Sequence, residues 1–248
     1  MLRDGPSGGY RFLPGIPAFS SGTVATPGHE IVHVTLAAPV PWRQGFNRID
    51  EHLKAQGRPR TALCGIELRS PAQFTFDGFA RFNDGYRGML AEWKILIGED
   101  NPIPRTNVAP VSGGPSEPSL YAFDYTVPGT TPAPTFIVAG AGEMRDRARG
   151  AAGIVRLGET TPDAMAEKAR FVMGVMTERL GALGGDWSRV TAIDVYTAES
   201  LHAYLIEDIL RPAGAAAIHG IRWFPSRPPI EGLEFEMDLR GVARELVI

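Results

Sequence analysis

The feature that most constrains the fold is an order of predicted elements that repeats after about 115–120 residues. Residues 31–128 read as strand, helix, strand, helix, strand, strand, and residues 135–248 repeat that order. A period of this length is too long for a solenoid, so it indicates two tandem domains. An order in which helices lie between strands favours an α+β layer, in which helices cover one face of a mixed sheet.

The expected domain limits follow from composition. Residues 1–30 are rich in Gly, Pro and Ser and predict an irregular lead-in, with one edge strand near residues 10–12. A Pro-rich segment at residues 128–134 predicts the connection between the halves. We therefore expect a first domain at 31–128 and a second at 135–248, in a chain of 248 residues.

Charge and cysteine usage exclude several classes of protein. The formal net charge is -3 with no basic cluster, which argues against a nucleic-acid partner. No apolar run approaches the roughly 20 residues of a membrane span, so we expect a cytoplasmic protein without a membrane partner. The single cysteine, Cys64, excludes an intrachain disulfide. Neither metal-ligand spacing nor a complete phosphate-binding glycine motif is present, so we predict no metal and no cofactor.

Residues 76–108 carry the clearest candidate for ligand binding. A predicted helix is followed by a Pro-broken loop and then by a short strand that opens on Arg105, directly after Pro104. An arginine at the mouth of a strand is well placed to hold a carboxylate through two parallel N–H donors. From spacing alone, a surface salt bridge is the competing interpretation of Arg105.

A second candidate lies in the strict alternation of residues 233–239. Glu234, Glu236 and Asp238 share one face of this predicted strand, and apolar side chains share the other. An acidic strand face is most often solvated, and that interpretation remains open beside a catalytic one.

Two of these stretches resemble the Rid/YjgF family of reactive-intermediate (enamine/imine) deaminases. The first is Asp77-x-Phe79-x-x-Phe82-Asn83-x-x-Tyr86, with Pro104-Arg105-Thr106 about twenty residues later. The second half is similar to a whole domain of that family, from its glycine-ended strand FIVAGAG through its long helix to the closing acidic strand. The resemblance implies a chorismate-mutase-like (YjgF-type) fold in tandem duplication. It also implies a homotrimer with ligand clefts between neighbouring domains.

The resemblance also assigns roles to individual residues. Arg105 matches the family's carboxylate-binding arginine, and Glu236 best matches its terminal-strand glutamate, which would activate a water. Thr106 and Asn107 stand where typical deaminases have Ser and Cys. The expected catalytic residues are thus Glu236 and Arg105, and the expected substrate-binding residues are Arg105, Thr106, Asn107, Asn83, Tyr86 and, less closely matched in position, Arg222.

The resemblance implies a hydrolytic deaminase of a small carboxylated enamine or imine, with an aminomuconate-like ring-cleavage product as one expected substrate. Two alternatives remain. A chorismatase-like hydrolase also joins two such domains and binds a cyclic carboxylate. The departures at Thr106 and Asn107, and the missing Asn-x-x-Tyr motif in the second half, suit a protein that binds small acids without catalysis.

Overall fold

The computed structural model describes all residues from Met1 to Ile248, and its fold is α+β with two mixed sheets and few helices. The three long helices are α1 (Trp42–Ala55), α2 (Phe76–Glu92) and α3 (Pro162–Ala182). The strands are β1 (Arg3–Asp4), β2 (Tyr10–Leu13), β3 (Gly22–Ala25), β4 (His29–Pro41), β5 (Leu63–Arg69), β6 (Arg105–Pro110), β7 (Ser119–Pro128), β8 (Phe136–Gly142), β9 (Ala192–Tyr196), β10 (Arg222–Phe224), β11 (Ser226–Arg227), β12 (Glu236–Gly241) and β13 (Arg244–Val247).

Each sheet takes strands from both halves of the chain. The six-stranded sheet has the order β11-β6-β5-β7-β4-β13, and the seven-stranded sheet has the order β1-β2-β3-β8-β12-β9-β10. Strand β3, from the N-terminal segment, pairs antiparallel with β8 of the second half. Conversely, β13 at the C-terminus pairs parallel with β4 of the first half. The two halves are therefore interlocked through their terminal segments.

The prediction of an irregular lead-in over residues 1–30 was wrong for its strands. β2 and β3 form an antiparallel pair within the seven-stranded sheet, and β2 is not an edge strand because β1 lies outside it. Composition obscured these strands because Gly and Pro are concentrated in the turns that join them.

The central four strands of the two sheets have the same connectivity. In the first sheet β6 runs parallel to β5, and β5 and β4 each run antiparallel to β7. In the second sheet β10 runs parallel to β9, and β9 and β8 each run antiparallel to β12. This correspondence is what a duplicated domain requires, although duplication itself stays a prediction.

The helices cover apolar faces of the sheets. α1 packs on β4 and β7, and α3 packs on β8 and β12. One buried apolar cluster includes side chains of α1, α2 and the first sheet, and another includes side chains of α3 and the second sheet. No helix is both long enough and apolar enough to cross a lipid bilayer.

The sequence pattern predicts the second helix of the second half over residues 199–210, and this prediction was wrong in position and type. Helical structure begins only at Leu205, as a π-helical turn over Leu205–Leu210. A short α-helical turn and the 3-10 segment Gly214–His219 follow. Pro212 prevents a regular α-helix from passing through this region, because it lacks a backbone N–H and clashes with the preceding turn.

Polar and charged side chains meet between the two sheets. The Thr106 hydroxyl on β6 donates to Asp238 Oδ2 on β12 at 2.7 Å, and Tyr196 Oη donates to the same oxygen at 2.9 Å. Arg240 Nη1 donates to Asp194 Oδ2 at 2.7 Å. Asp238 is 4 % exposed, as is Glu236 on the same strand, so the solvated acidic face was the wrong interpretation for these two carboxylates.

Candidate active site

A cleft opens where the start of β6 faces β8 and β12, and we call it the Arg105 cleft. Its polar lining comprises Arg105, Asn107, Arg147 and Glu236. Its apolar lining includes Phe19, Phe79, Met144, Ile230 and Leu233. Arg105 and Glu236 belong to different sheets, so the cleft exists only because the two sheets pack against each other.

Arg105 is buried with an incompletely satisfied guanidinium group. Only 3 % of the residue is exposed, and its Nη2 donates to Asn83 Oδ1 at 2.6 Å. Its Nη1 is buried without a hydrogen-bond acceptor, and no carboxylate pairs with the group. Burial lowers the pKa of Arg105 to about 10, so the side chain still carries its charge at neutral pH.

Aromatic rings enclose this guanidinium group. Its central carbon lies 4.6 Å from the ring centroid of Tyr86 and 4.9 Å from that of Phe19. Ring faces stabilise the cation, but they offer no acceptor comparable to a carboxylate oxygen. An unpaired buried donor is costly, so Arg105 gains more from a bound anion than an arginine already in an ion pair does.

Asn107 supplies a second buried donor on the same strand face as Arg105. Its Oδ1 accepts a hydrogen bond from the Ser70 hydroxyl at 2.9 Å, which fixes the orientation of the amide. Its Nδ2 is buried and has no acceptor. Strand alternation brings residues 105 and 107 to the cleft and turns Thr106 toward Asp238.

Glu236 lies at the start of β12, and its pKa is raised far above the usual value for a glutamate. Burial and, to a smaller extent, the nearby charge of Glu143 raise the pKa of Glu236 to about 8. Arg147, Arg179 and Arg105 act in the opposite direction. At neutral pH the carboxyl group is therefore mostly protonated, and it can donate a proton before it accepts one.

Gly140 makes room for this carboxyl group. A Cβ at this position would overlap Glu236 Oε1 and would also crowd the Thr106 side chain. The backbone N–H of Gly140 donates to Thr106 Oγ1 at 3.1 Å. The glycine in β8 therefore serves close packing of Glu236, and it is not part of a phosphate-binding loop.

The start of β12 is held by a buried ion pair. The Glu143 carboxylate accepts from Lys168 Nζ at 3.0 Å and from the backbone N–H groups of Glu234 at 2.7 Å and Phe235 at 3.1 Å. Glu143 and Lys168 are fully buried. These bonds fix the chain immediately before Glu236 and so set the direction of its side chain.

Comparison with known proteins places the whole chain in one family. The family model described as "2-aminomuconate deaminase CnbZ" matches residues 2–246. The chain belongs to this family. A curated relative, the 2-amino-5-chloromuconate deaminase of Comamonas testosteroni, is 41% identical over 250 residues, which cover 97% of this chain and 96% of the relative.

One solved structure shares the fold of this chain. A chorismatase crystal structure superposes with a TM-score of 0.52 at 13% identity, covering 93% of this chain and 79% of the chorismatase. At that identity the likeness concerns the fold alone. A putative endoribonuclease of Thermotoga maritima covers 55% of this chain and 92% of its own, with a TM-score of 0.31 and 19% identity, which is too low to support an argument.

The family assignment refines the resemblance seen in the sequence. The chain is a member of an aminomuconate deaminase family, and deaminase chemistry was the leading prediction. Wider membership of Rid/YjgF and a trimeric assembly stay predictions.

The structure brings most of the predicted site residues together. Arg105, Asn107 and Glu236 line the cleft, Asn83 accepts from Arg105, and the Tyr86 ring lies beside it. The surface salt bridge considered for Arg105 was the wrong interpretation. Thr106 supports the cleft indirectly through Asp238 and Gly140.

Arg222 is not part of this cleft. It lies on the edge strand β10, where its side chain is 43% exposed and donates to Glu245 at 2.9 and 3.1 Å. The tandem pattern suggested an equivalent arginine, but the residue is neutralised by acidic partners of its own.

Sequence reasoning missed Arg147 and the role of Gly140. Arg147 follows β8 in a loop rich in arginine, where no periodicity distinguishes it from Arg145 or Arg149. The sequence did contain a signal for Gly140, because a glycine inside a buried strand often marks the close approach of another group.

Proposed function

We propose that this protein is a hydrolytic deaminase of a 2-aminomuconate-type enamine or imine. The observation that carries the proposal is the pairing, in one cleft, of two buried donors without acceptors and a carboxyl group that is mostly protonated at neutral pH. Arg105 Nη1 and Asn107 Nδ2 suit a substrate carboxylate. Glu236 suits proton transfer at the neighbouring carbon and nitrogen. The family description and the relative's substrate support this class of reaction.

The proposed reaction consumes one water and releases one ammonia, without oxidation or reduction. Arg105 and Asn107 hold the carboxylate next to the amino-bearing carbon. Glu236 in its acid form protonates the enamine at carbon, which gives the electrophilic iminium ion and the Glu236 carboxylate. The resulting Glu236 carboxylate then takes a proton from the attacking water, and the carbinolamine collapses to a 2-oxo acid and ammonia.

The charged surroundings of Glu236 suit both steps. Its raised pKa makes the acid form available near neutral pH, where an ordinary glutamate would be ionised. Arg105, Arg147 and Arg179 stabilise the carboxylate that forms when the proton leaves. One side chain can therefore act as acid and then as base within a single turnover.

Ammonia release from 2-aminomuconate generated in situ tests the proposal. Arg105→Ala should lower kcat/KM by at least about 100-fold, because it removes the charge-assisted hydrogen bonds to the substrate. Arg105→Lys should recover only part of this loss, since an ammonium group lacks the planar fork.

Arg222→Ala is the matched control. It removes an arginine that the sequence suggested for binding but that lies outside the cleft, and its kcat/KM should stay within about twofold of wild type. Equal losses in Arg222→Ala and Arg105→Ala would contradict the assignment. The absence of ammonia release from wild type with every imine tested would overturn the proposed reaction.

A further inference from the structure

The Arg105 cleft contains a second arginine without an acidic partner. Arg147 lines the cleft, and its guanidinium carbon lies 5.9 Å from the ring centroid of Phe19. Arg105 lies 4.9 Å from the same ring. Both cations thus lie beside one phenylalanine ring, and Arg105 is buried whereas Arg147 is exposed.

Arg147 differs from the other arginines of its neighbourhood. Arg145 Nη2 donates to Glu167 at 2.9 Å, and Arg156 pairs with Glu159, Asp163 and Glu167. The Arg147 side chain makes no hydrogen bond and no salt bridge within the protein, so its donors are available to a ligand.

The loop that carries Arg147 is closed at its base. Met144 and Ile154 form an antiparallel bridge, and the Arg145 N–H donates to the Gly153 carbonyl at 2.8 Å. Asp146 Oδ1 accepts from the Ala148 N–H at 2.9 Å, so the turn around Arg147 is fixed on both sides. A Cβ on Gly153 would overlap the Asp146 carbonyl, which shows how closely the loop closes. The backbone that carries Arg147 is therefore fixed before a ligand arrives, and its side chain is free to contact that ligand.

The space between the two arginines suits an unsaturated hydrocarbon chain. Apolar side chains of Met144, Ile230 and Leu233 line the cleft that the two guanidinium groups share. A molecule with one carboxylate at each end and flat apolar carbons between would satisfy both cations at once. A monocarboxylate would leave Arg147 without a partner.

We propose that Arg147 binds the distal carboxylate of a dicarboxylate whose proximal carboxylate is held by Arg105, and that it thereby selects dicarboxylates over monocarboxylates. This inference rests on the proposed function, because it concerns the substrate class of the same cleft. Arg147 is a specificity-determining residue that touches the substrate at the end remote from the reacting carbon.

Binding of two matched probes tests the inference without requiring turnover. trans,trans-Muconate carries a carboxylate at each end of a diene, and sorbate has the same diene with a methyl group in place of one carboxylate. Isothermal titration should give wild type a preference for muconate of about 10-fold or more, the ratio expected for one charge-assisted contact. Arg147→Ala should abolish that preference by weakening muconate and leaving sorbate unchanged.

Arg149→Ala is the matched control, since it removes the same charge from the same loop at an exposed residue that does not line the cleft. It should retain the preference for muconate, and Arg147→Lys should retain part of it. A preference that survives in Arg147→Ala, or a loss of equal size in Arg149→Ala, would overturn the inference.

Ammonia release measured on the same variants separates this inference from the proposed function. Wild type that releases ammonia while Arg147→Ala keeps its preference for muconate would refute only the role of Arg147. Wild type that binds muconate through Arg147 but releases no ammonia would refute only the deaminase proposal and support the dicarboxylate site.

Discussion

Two clefts between the sheets each contain a buried arginine, and the protein satisfies the donors of only one of these arginines. The Arg105 cleft lies between β6 and the pair β8 and β12. At the corresponding place between β10 and the pair β4 and β7 lies a wider, more open cleft lined by Arg69, Tyr121, Phe224 and several prolines and small residues, which we call the Tyr121 cleft. Equivalent strands therefore border both clefts.

Arg69 in the Tyr121 cleft is already satisfied by the protein. It donates to the Leu68 carbonyl at 3.0 Å and to Glu67 at 3.4 Å, and it lies 3.8 Å from the ring centroid of Tyr121. Nearby tyrosines and carboxylates raise the pKa of Arg69 despite its burial, whereas burial lowers the pKa of Arg105. A ligand carboxylate would gain little at Arg69, where it competes with Glu67.

Burial and charge alone therefore do not identify a ligand-binding site. Both arginines are buried and both contact aromatic rings. Only Arg105 combines these properties with an unused donor and with a carboxyl group whose pKa is raised. The comparison predicts that chemistry is confined to the Arg105 cleft.

Glu236→Gln gives the largest expected effect. The amide has nearly the same shape but transfers no proton, so kcat should fall by about 10²- to 10⁴-fold. For wild type, kcat/KM should decrease as pH rises through about 8, because the acid form of Glu236 is lost there. Ammonia release followed from pH 6 to 9.5 measures the kcat of Glu236→Gln and the pH dependence of kcat/KM in wild type. A variant with undiminished kcat would place the proton donor elsewhere.

The stability of Glu236→Gln is a second test of the electrostatic difference between the two clefts. The pKa of Glu236 is about 8 in the folded protein and near 4.5 when unfolded, so the folded state binds the proton more tightly. The resulting stabilisation is complete below about pH 4.5 and is lost as pH rises through about 8. Glu236→Gln should therefore raise the free energy of unfolding at pH 9 by about 1–3 kcal/mol relative to wild type.

Denaturant unfolding at pH 5 and pH 9 checks this expectation, because the difference between variant and wild type should grow with pH. A difference that is equal at the two pH values would mean that Glu236 titrates as an ordinary glutamate. It would also remove the electrostatic distinction between the two clefts.

Tyr121→Ala gives the smallest expected effect on activity. It opens the Tyr121 cleft and removes the ring beneath Arg69 but touches nothing in the Arg105 cleft, so kcat/KM should change by less than about twofold. The lost aromatic and cation–π contacts should cost roughly 1 kcal/mol of stability. Ammonia release and thermal unfolding measure the two quantities. A loss of activity comparable to that of Glu236→Gln would show that the two clefts work together.

The sequence predicted much of the fold because most of its elements have strong local signals. The sequence predicts helices over residues 42–56 and about 162–183, and α1 and α3 begin and end within a residue or two of these limits. Terminal glycine and proline residues agree with the apolar periodicity there. The strands near residues 10–13, 22–25 and 244–247 were missed or underestimated. β3 and β13 pair with strands in the other half of the chain, and no local pattern reports such pairing.

The site was predictable where a motif or a strand position carried the information. Arg105, Asn83, Tyr86 and Glu236 came from the family resemblance, and alternation along β12 placed Glu236 on an acidic strand face. Arg147 and the neutralisation of Arg222 depend on which charges approach one another in three dimensions. A list of arginines in the sequence cannot distinguish a paired guanidinium group from a free one.

The exchange of terminal strands also determines how the polypeptide tolerates a break. A proteolytic cut between residues 129 and 134 would produce an N-terminal fragment that supplies β3 to the other fragment's sheet. The C-terminal fragment would supply β11 and β13 in return. Each piece would thus complete the sheet of the other, and the nicked molecule would stay associated with Arg105 and Glu236 still facing the same cleft. Neither piece alone would contain that cleft.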